Sequence, residues 1–316
     1  MRGSWIRTVS LTILLMAPVP AALWAQSQEA VAVITELKLN RGDVQIRVPG
    51  KKAPEKAAPL QSLYAGTQIA VSKDAAVVIL FTEGMKTVTV DEKNSPFVVK
   101  SPEAKAGPSG AGMKQVASLL LGKKKPPTYI ALAVRGAKNP PTLISPRETK
   151  MMTGEPTFKW MGMSMQAGTL QLFGPEGALW TAENIALTQI KYPLTAPRLK
   201  PGVEYSWMIE KKGFPADKAR FKILSPEEAK PIQQQQKALE AAGGLSKTTL
   251  AVLKANLFLS HGLFYEAREI LAEAINADPD EPALHLLLGE IYEKTGLKNL
   301  ATEEYSEAQF LSRISQ

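Results

Sequence analysis

The feature that most constrains this chain is its self-similarity across residues 248–313, where the sequence repeats with a period of 34 residues. Ala255 recurs as Gly289, Gly262 as Gly296, Ala267 as Ala301 and Ala274 as Ala308, while Phe258 and Leu271 recur as Tyr292 and Tyr305. A fixed period of this length means that one supersecondary unit is copied and stacked. Two helices approach closely only where one of them presents no bulk, so the small positions mark crossings and the large ones fill the space beside them. The period therefore predicts two stacked helix pairs, residues 248–281 and 282–315. Upstream, Ser225, Pro226 and Glu228 form a capping box that starts an earlier helix, Pro231 interrupts it, and Gly243-Gly244 ends it.

The opposite end of the chain bears on compartment. Arg2 and Arg7 precede an apolar run at residues 9–17, then come Pro18, Pro20 and the small residues Ala21, Ala22 and Ala25. This basic, apolar, small-residue order is that of a secretory signal peptide over residues 1–25, with cleavage expected after Ala25. The run is shorter than the roughly 20 apolar residues that span a bilayer. No later stretch is long enough either, so no transmembrane segment is expected after cleavage. The chain has no cysteine, which excludes a lipidated cysteine anchor and a disulfide. The expectation is an exported protein of the bacterial periplasm.

Composition excludes global disorder, since 45% of the 316 residues are hydrophobic and 22% charged. The formal charge is +8; without Arg2 and Arg7 it becomes 36 basic against 30 acidic residues, or +6. A surplus of this size reads as a solvated surface, with attraction to a cell-wall polymer as the alternative. Nucleic acid is not an expected partner, because the run Lys123, Lys124, Lys125 has no aromatic residues interleaved with it.

Between the two ends lie two β-rich stretches. In residues 29–100, Val44, Ile46 and Val48 alternate with polar residues as in a half-buried strand. Further strands are read at 31–39, 67–71, 75–81 and 86–90, so this is a small all-β domain. Residues 101–141 are rich in Pro, Gly, Ala and Lys and read as a linker, relieved by a helix-compatible piece at 113–121 and a candidate strand at 129–134. Strands separated by Gly/Pro turns return over residues 142–224 and suggest a β-sandwich. The predicted fold class is a multidomain chain of two β domains and a helical domain at 225–316. Each β domain is expected to have its own core, so the helical end should melt separately.

Three resemblances add to this reading. Leu63, Gly66, Ile69, Ala76-Val77-Val78, Leu80, Glu83-Gly84 and Val88 follow the order of the periplasmic FecR-type domain, with Glu-Gly where that family has Asp-Gly. That likeness implies an envelope-sensing module, without the membrane helix and cytoplasmic segment through which family members relay signals. Trp160 and the stretch from Leu199 through Pro201, Gly202 and Tyr205 to Trp207 resemble a fibronectin type III domain, although Leu170 stands where that family has a tyrosine. The likeness implies that Tyr205 opens a strand and hydrogen-bonds back to the preceding loop. The two 34-residue units are similar to tetratricopeptide repeats, with His285 in place of the usual tryptophan and Arg313 in place of the closing proline.

The repeat resemblance also supplies the candidate site. It implies a peptide groove lined by Thr249, Val252, Asn256 and Leu259 from one repeat and Ala283, Leu286, Glu290 and Glu293 from the next. Val252 replaces the lysine that clamps a peptide carboxylate, so a carboxylate clamp is not expected. The groove is also short, and packing on the upstream helix or on a second copy is the alternative use. The expected partners are envelope proteins bound through the repeats, self-association, or a cell-wall polymer bound by the β domains.

Catalysis has little support. The chain lacks a Cys nucleophile and the GxSxG, HExxH and GxxxxGK[ST] patterns. His261 and His285 stand 24 residues apart, without metal-ligand spacing, and read as packing residues. Asp278, Asp280 and Glu281 cluster in the turn between the repeats, read as solvated and without the glycine and spacing of a calcium loop. Met161, Met163 and Met165 would be soft ligands for Cu(I). With no cysteine or nearby histidine to help, they read instead as gap-filling residues. No enzyme activity, cofactor or metal is expected; the leading reading is a non-catalytic scaffold.

Overall fold

The structure is a computed structural model that describes residues 29–101, 110–123, 141–162, 168–185, 187–210 and 217–313. The expected signal segment, Met163 and Met165, and the candidate strand at 129–134 lie outside these residues. No described helix is long and apolar enough to cross a membrane.

The first part comprises strands β1 (Ala30–Lys38), β2 (Val44–Arg47), β3 (Glu55–Lys56), β4 (Ser62–Tyr64), β5 (Gln68–Val71), β6 (Ala76–Phe81), β7 (Thr87–Asp91) and β8 (Phe97–Val98). They form two four-stranded sheets, ordered β4-β1-β6-β7 and β3-β2-β5-β8. Ala32, Ile34, Ile46, Ile69, Val77 and Ile79 make the shared core. Strand β1 is apolar enough to be buried on both faces, and its other face, carrying Val33, belongs to the core of the helices. Its register against β6 shifts between Ile34 and Glu36. The resulting bulge turns two successive side chains, Thr35 and Glu36, toward the helices.

Helix α1 (Gly110–Ser118) follows, within the stretch read as linker. It is not a free spacer: Val116, Ala117 and Leu120 are buried in the helical core. The middle part comprises β9 (Thr142–Ser145), β10 (Thr149–Met151), β11 (Thr157–Met161), β12 (Gly168–Gly174), β13 (Gly177–Ile185), β14 (Gln189–Lys191), β15 (Glu204–Glu210) and β16 (Lys218–Ile223). Sheets ordered β10-β16-β15-β12-β13 and β14-β11-β9 form a β-sandwich around Phe158, Trp160, Trp207 and Phe221. Phe158 and Trp207 lie at its centre with ring centroids 4.9 Å apart. Near the start of β15, the Tyr205 hydroxyl accepts the Lys200 amide at 2.7 Å, as the sequence implied.

The C-terminal part is five helices: α2 (Pro226–Ala241), α3 (Lys247–Ser260), α4 (Phe264–Ala277), α5 (Pro282–Lys294) and α6 (Lys298–Leu311). Ser225 and Glu228 make the reciprocal cap of α2. Pairs α3/α4 and α5/α6 are the two repeats, and Ala255, Ala267, Ala301 and Ala308 are all buried at their crossings. Their core continues without a break into Val33, Leu60, Leu80 and Met85 of the first β domain. A shared core of this kind does not melt piecewise, so separate melting of the helical end is no longer expected.

Gly289 tests the repeat packing most sharply. A Cβ there would stand 2.6 Å from the Tyr305 ring. In an open helix, Gly→Ala gains about 1 kcal/mol, whereas overpacking costs about 1–3 kcal/mol. Gly289→Ala should therefore lower the thermal midpoint, and adding Tyr305→Leu should recover it in a double-mutant cycle. A stabilised Gly289→Ala variant would refute the close crossing.

Candidate functional site

The eight residues expected to line a peptide groove lie on α3 and α5, and the chain itself covers most of them. Thr249, Val252, Asn256, Leu259, Ala283 and Leu286 are buried. The cover is β1 with α1 beside it: β1 lies against α3 and α5, and α1 against α2 and α3. Thr35 Oγ1 lies 3.0 Å from Thr249 Oγ1, and the same Thr249 hydroxyl donates to Glu36 Oε1 at 2.6 Å. Ser246, the cap of α3, also donates to Glu36. Glu290 is tied to Lys123 at 2.5 Å, and exposed Glu293 accepts the Tyr305 hydroxyl at 2.8 Å.

The inter-repeat turn departs furthest from the sequence reading. Asp280 is exposed as anticipated, but Glu281 is fully buried rather than solvated. As the cap of α5, its carboxylate accepts the Ala283 amide at 3.2 Å, and both its oxygens accept the Leu37 amide of β1 at 3.0–3.1 Å. Lys38 completes the cluster, 3.3 Å from Glu281 and 2.5 Å from Asp278. Sequence reasoning could not find this, because the strand that buries the turn is some 240 residues away.

A second glutamate does the same for the sandwich. Glu266, in the first turn of α4, accepts the Met152 amide at 2.6 Å. Its other oxygen is shut off from solvent without a hydrogen-bond partner among the described residues. Around it, Tyr265 enters the sandwich core and accepts the Thr157 amide at 3.0 Å, Lys159 pairs with Glu269 at 2.8 Å, and Arg147 donates to the Thr295 carbonyl at 3.0 Å. The helical array is thus fastened to each β domain by a buried carboxylate gripping a backbone amide.

A sizeable concavity also opens beside the first of these seams. It is a cleft of about 660 Å³ between the loop that runs from β2 to β4 and the last helix, α6. Leu60, Leu286, Tyr305 and Ala308 give it an apolar floor. Of the eight candidate groove residues, only Leu286 lines it. Lys51, Lys56, Lys123 and Arg313 stand around it against a single acid, Glu55. A partly enclosed, mostly apolar space of this volume with a few convergent charges is what a ligand site requires. Neither His261 nor His285 lines it. The His285 ring is held between Glu304 at 2.7 Å and the Pro279 carbonyl at 2.9 Å, a packing role.

No family model matches the chain, and no curated protein is similar to it. Among solved structures it is similar to a segment of two fibronectin type III domains from chicken tenascin, at 15% identity and a TM-score of 0.17, over 62% of this chain and 94% of that one. The β-sandwich itself rests on the strand order and register described above.

The two seam carboxyls predict a pH dependence. Burial pushes Glu281 up to about 7, against the pull of Lys38 and the two amides. Burial likewise pushes Glu266 up to about 7, against its Met152 bond. Both start from an ordinary value of 4.5, so the folded state holds these protons more tightly than the unfolded one. Their contribution is complete below pH 4.5 and lost as pH climbs through about 7, at no more than roughly 1.4 kcal/mol per pH unit for each carboxyl. Denaturant titrations at pH 5, 6, 7 and 8 should show the Glu281→Gln variant with a flatter pH profile than the parent. Parallel profiles would contradict the assignment.

Proposed function

We propose that the chain is a non-catalytic adaptor of the bacterial cell envelope that holds another protein, exported by the signal at residues 1–25. The observation that carries this reading is the frame itself: the first β domain and the repeat array share a buried seam and leave a ligand-sized cleft open between them. Binding to a partner then falls to the cleft, since β1 already fills the groove that the repeat resemblance implied. The first domain is read as FecR-type on its ordered motif residues. The sandwich is read as fibronectin III-like, with the Tyr205 bond to the Lys200 amide in support. Export is supported by the arrangement of Arg2, Arg7, the apolar run and Ala25.

The bait for a test must be the whole mature chain, because residues 225–316 alone would bare the face that β1 covers. The whole chain should capture a defined partner from an envelope extract and stay in the supernatant with purified peptidoglycan. The fragment should self-associate in sedimentation. Pelleting of the whole chain with peptidoglycan, with no protein captured, would overturn the adaptor in favour of wall binding by the β domains.

A further inference from the structure

The internal repeat says what the cleft is made from. Subtracting 34 residues from Leu286, Tyr305 and Ala308 gives Val252, Leu271 and Ala274, which belong to the first repeat's core. Against that first repeat lies α5, which packs on both α3 and α4. The cleft therefore occupies the position, one period on, where the next helix of a stacked array would lie. Here it is narrowed from the other side. Leu60, held at φ 57° in the loop between β3 and β4, drives its side chain into the helical core and brings that loop over the end of α6.

The cleft holds about 660 Å³, within the range of ligand-sized sites. Charge decides the occupant's chemistry. Lys51 is answered by Glu55 at 3.0 Å and Lys123 by Glu290 at 2.5 Å. Exposed Lys56 and Arg313 line the cleft with no ion-pair partner among the described residues. These two cations beside an apolar floor call for a chain that offers carboxylates on one side and apolar side chains on the other. An extended backbone does this naturally, since successive residues point to opposite faces.

We infer that the cleft binds an extended, acidic peptide segment of a partner protein, its carboxylates on Lys56 and Arg313 and its apolar side chains on Leu60, Leu286 and Ala308. This rests on the adaptor reading and names the partner's chemistry. Of the eight residues expected to line the inner groove, the site uses only Leu286.

The test uses the whole mature chain and three fluorescein-labelled hexapeptides, alternating Leu with Glu, with Ser or with Lys. Fluorescence anisotropy should show saturable binding of the Glu-Leu peptide, weaker binding of Ser-Leu and none of Lys-Leu. Lys56→Glu combined with Arg313→Glu should weaken Glu-Leu binding at least about tenfold, because two exposed attractions become repulsions. Both residues are exposed, so the fold should survive, and circular dichroism checks this. Lys93→Glu, an exposed change on the first domain away from the cleft, should leave binding unaltered. Equal binding of Glu-Leu and Lys-Leu, no saturable binding, or indifference to the double reversal would each overturn the inference. If an envelope protein is captured equally by the parent and the double variant, the cleft proposal fails and the adaptor stands. If the peptide binds as described but neither form captures a protein, the adaptor fails and the cleft stands.

Discussion

The inner face of this helix array is covered by the chain's own first strand, with α1 beside it. The rest of the structure depends on that contact. The face is not purely apolar: Thr249, Asn256 and Glu281 are buried in it, and a buried polar group without a partner costs about 1–3 kcal/mol. Strand β1 meets the requirement for Thr249 and Glu281, while Asn256 Nδ2 has no hydrogen-bond partner among the described residues. Its bulge sets Thr35 and Glu36 over Thr249 and Ser246, and the Leu37 amide and Lys38 ammonium meet Glu281 and Asp278. Removing one side of such a seam would leave a buried charge alone, typically at a cost of about 3–5 kcal/mol. The polar groups thereby fix where the strand sits, while Val33, Leu80 and the helices supply the apolar area around them.

The same device recurs on the opposite side of the array, where Glu266 grips the amide of Met152 and Tyr265 enters the sandwich core. The ion pairs around that seam, such as Lys159 with Glu269, are partly exposed, and pairs of that kind contribute little. The buried bonds hold the parts together. With both β domains tied to the repeats, the cleft at α6 has two walls from different domains at a fixed spacing, which a chain of beads on linkers would not give.

The sequence made the repeats legible because their period is a packing rule: Gly289 lies against Tyr305, as small against large demands. The Tyr205 corner and the α2 cap were legible for the same reason, being local chemistry read from a few adjacent residues. What stayed hidden was long-range. Glu281 looked solvated because a turn between repeats usually is, and nothing near it in the chain points to Leu37. A bulge at Thr35 cannot be told from the order of residues in a short strand such as β1. Helix α1 sat inside a stretch whose Pro, Gly and Lys content reads as linker, yet Val116, Ala117 and Leu120 suffice to dock it. The eight residues expected to line a peptide groove fall on α3 and α5, but pattern alone could not reveal that the chain's own first strand lies against those helices.

The contact between β1 and the array is open to a direct chemical measurement, because the chain has no cysteine. Thr35 and Thr249 face each other with their hydroxyl oxygens 3.0 Å apart. Replacing both with cysteine and oxidising mildly should close an intramolecular disulfide, seen as a faster-migrating monomer on a non-reducing gel and as two thiols lost to Ellman's reagent. The oxidised chain should also melt higher than its reduced form in a single transition. A variant whose thiols stay free, or that links only into dimers, would mean that β1 does not lie in the groove, and the account of the fold would fail with it.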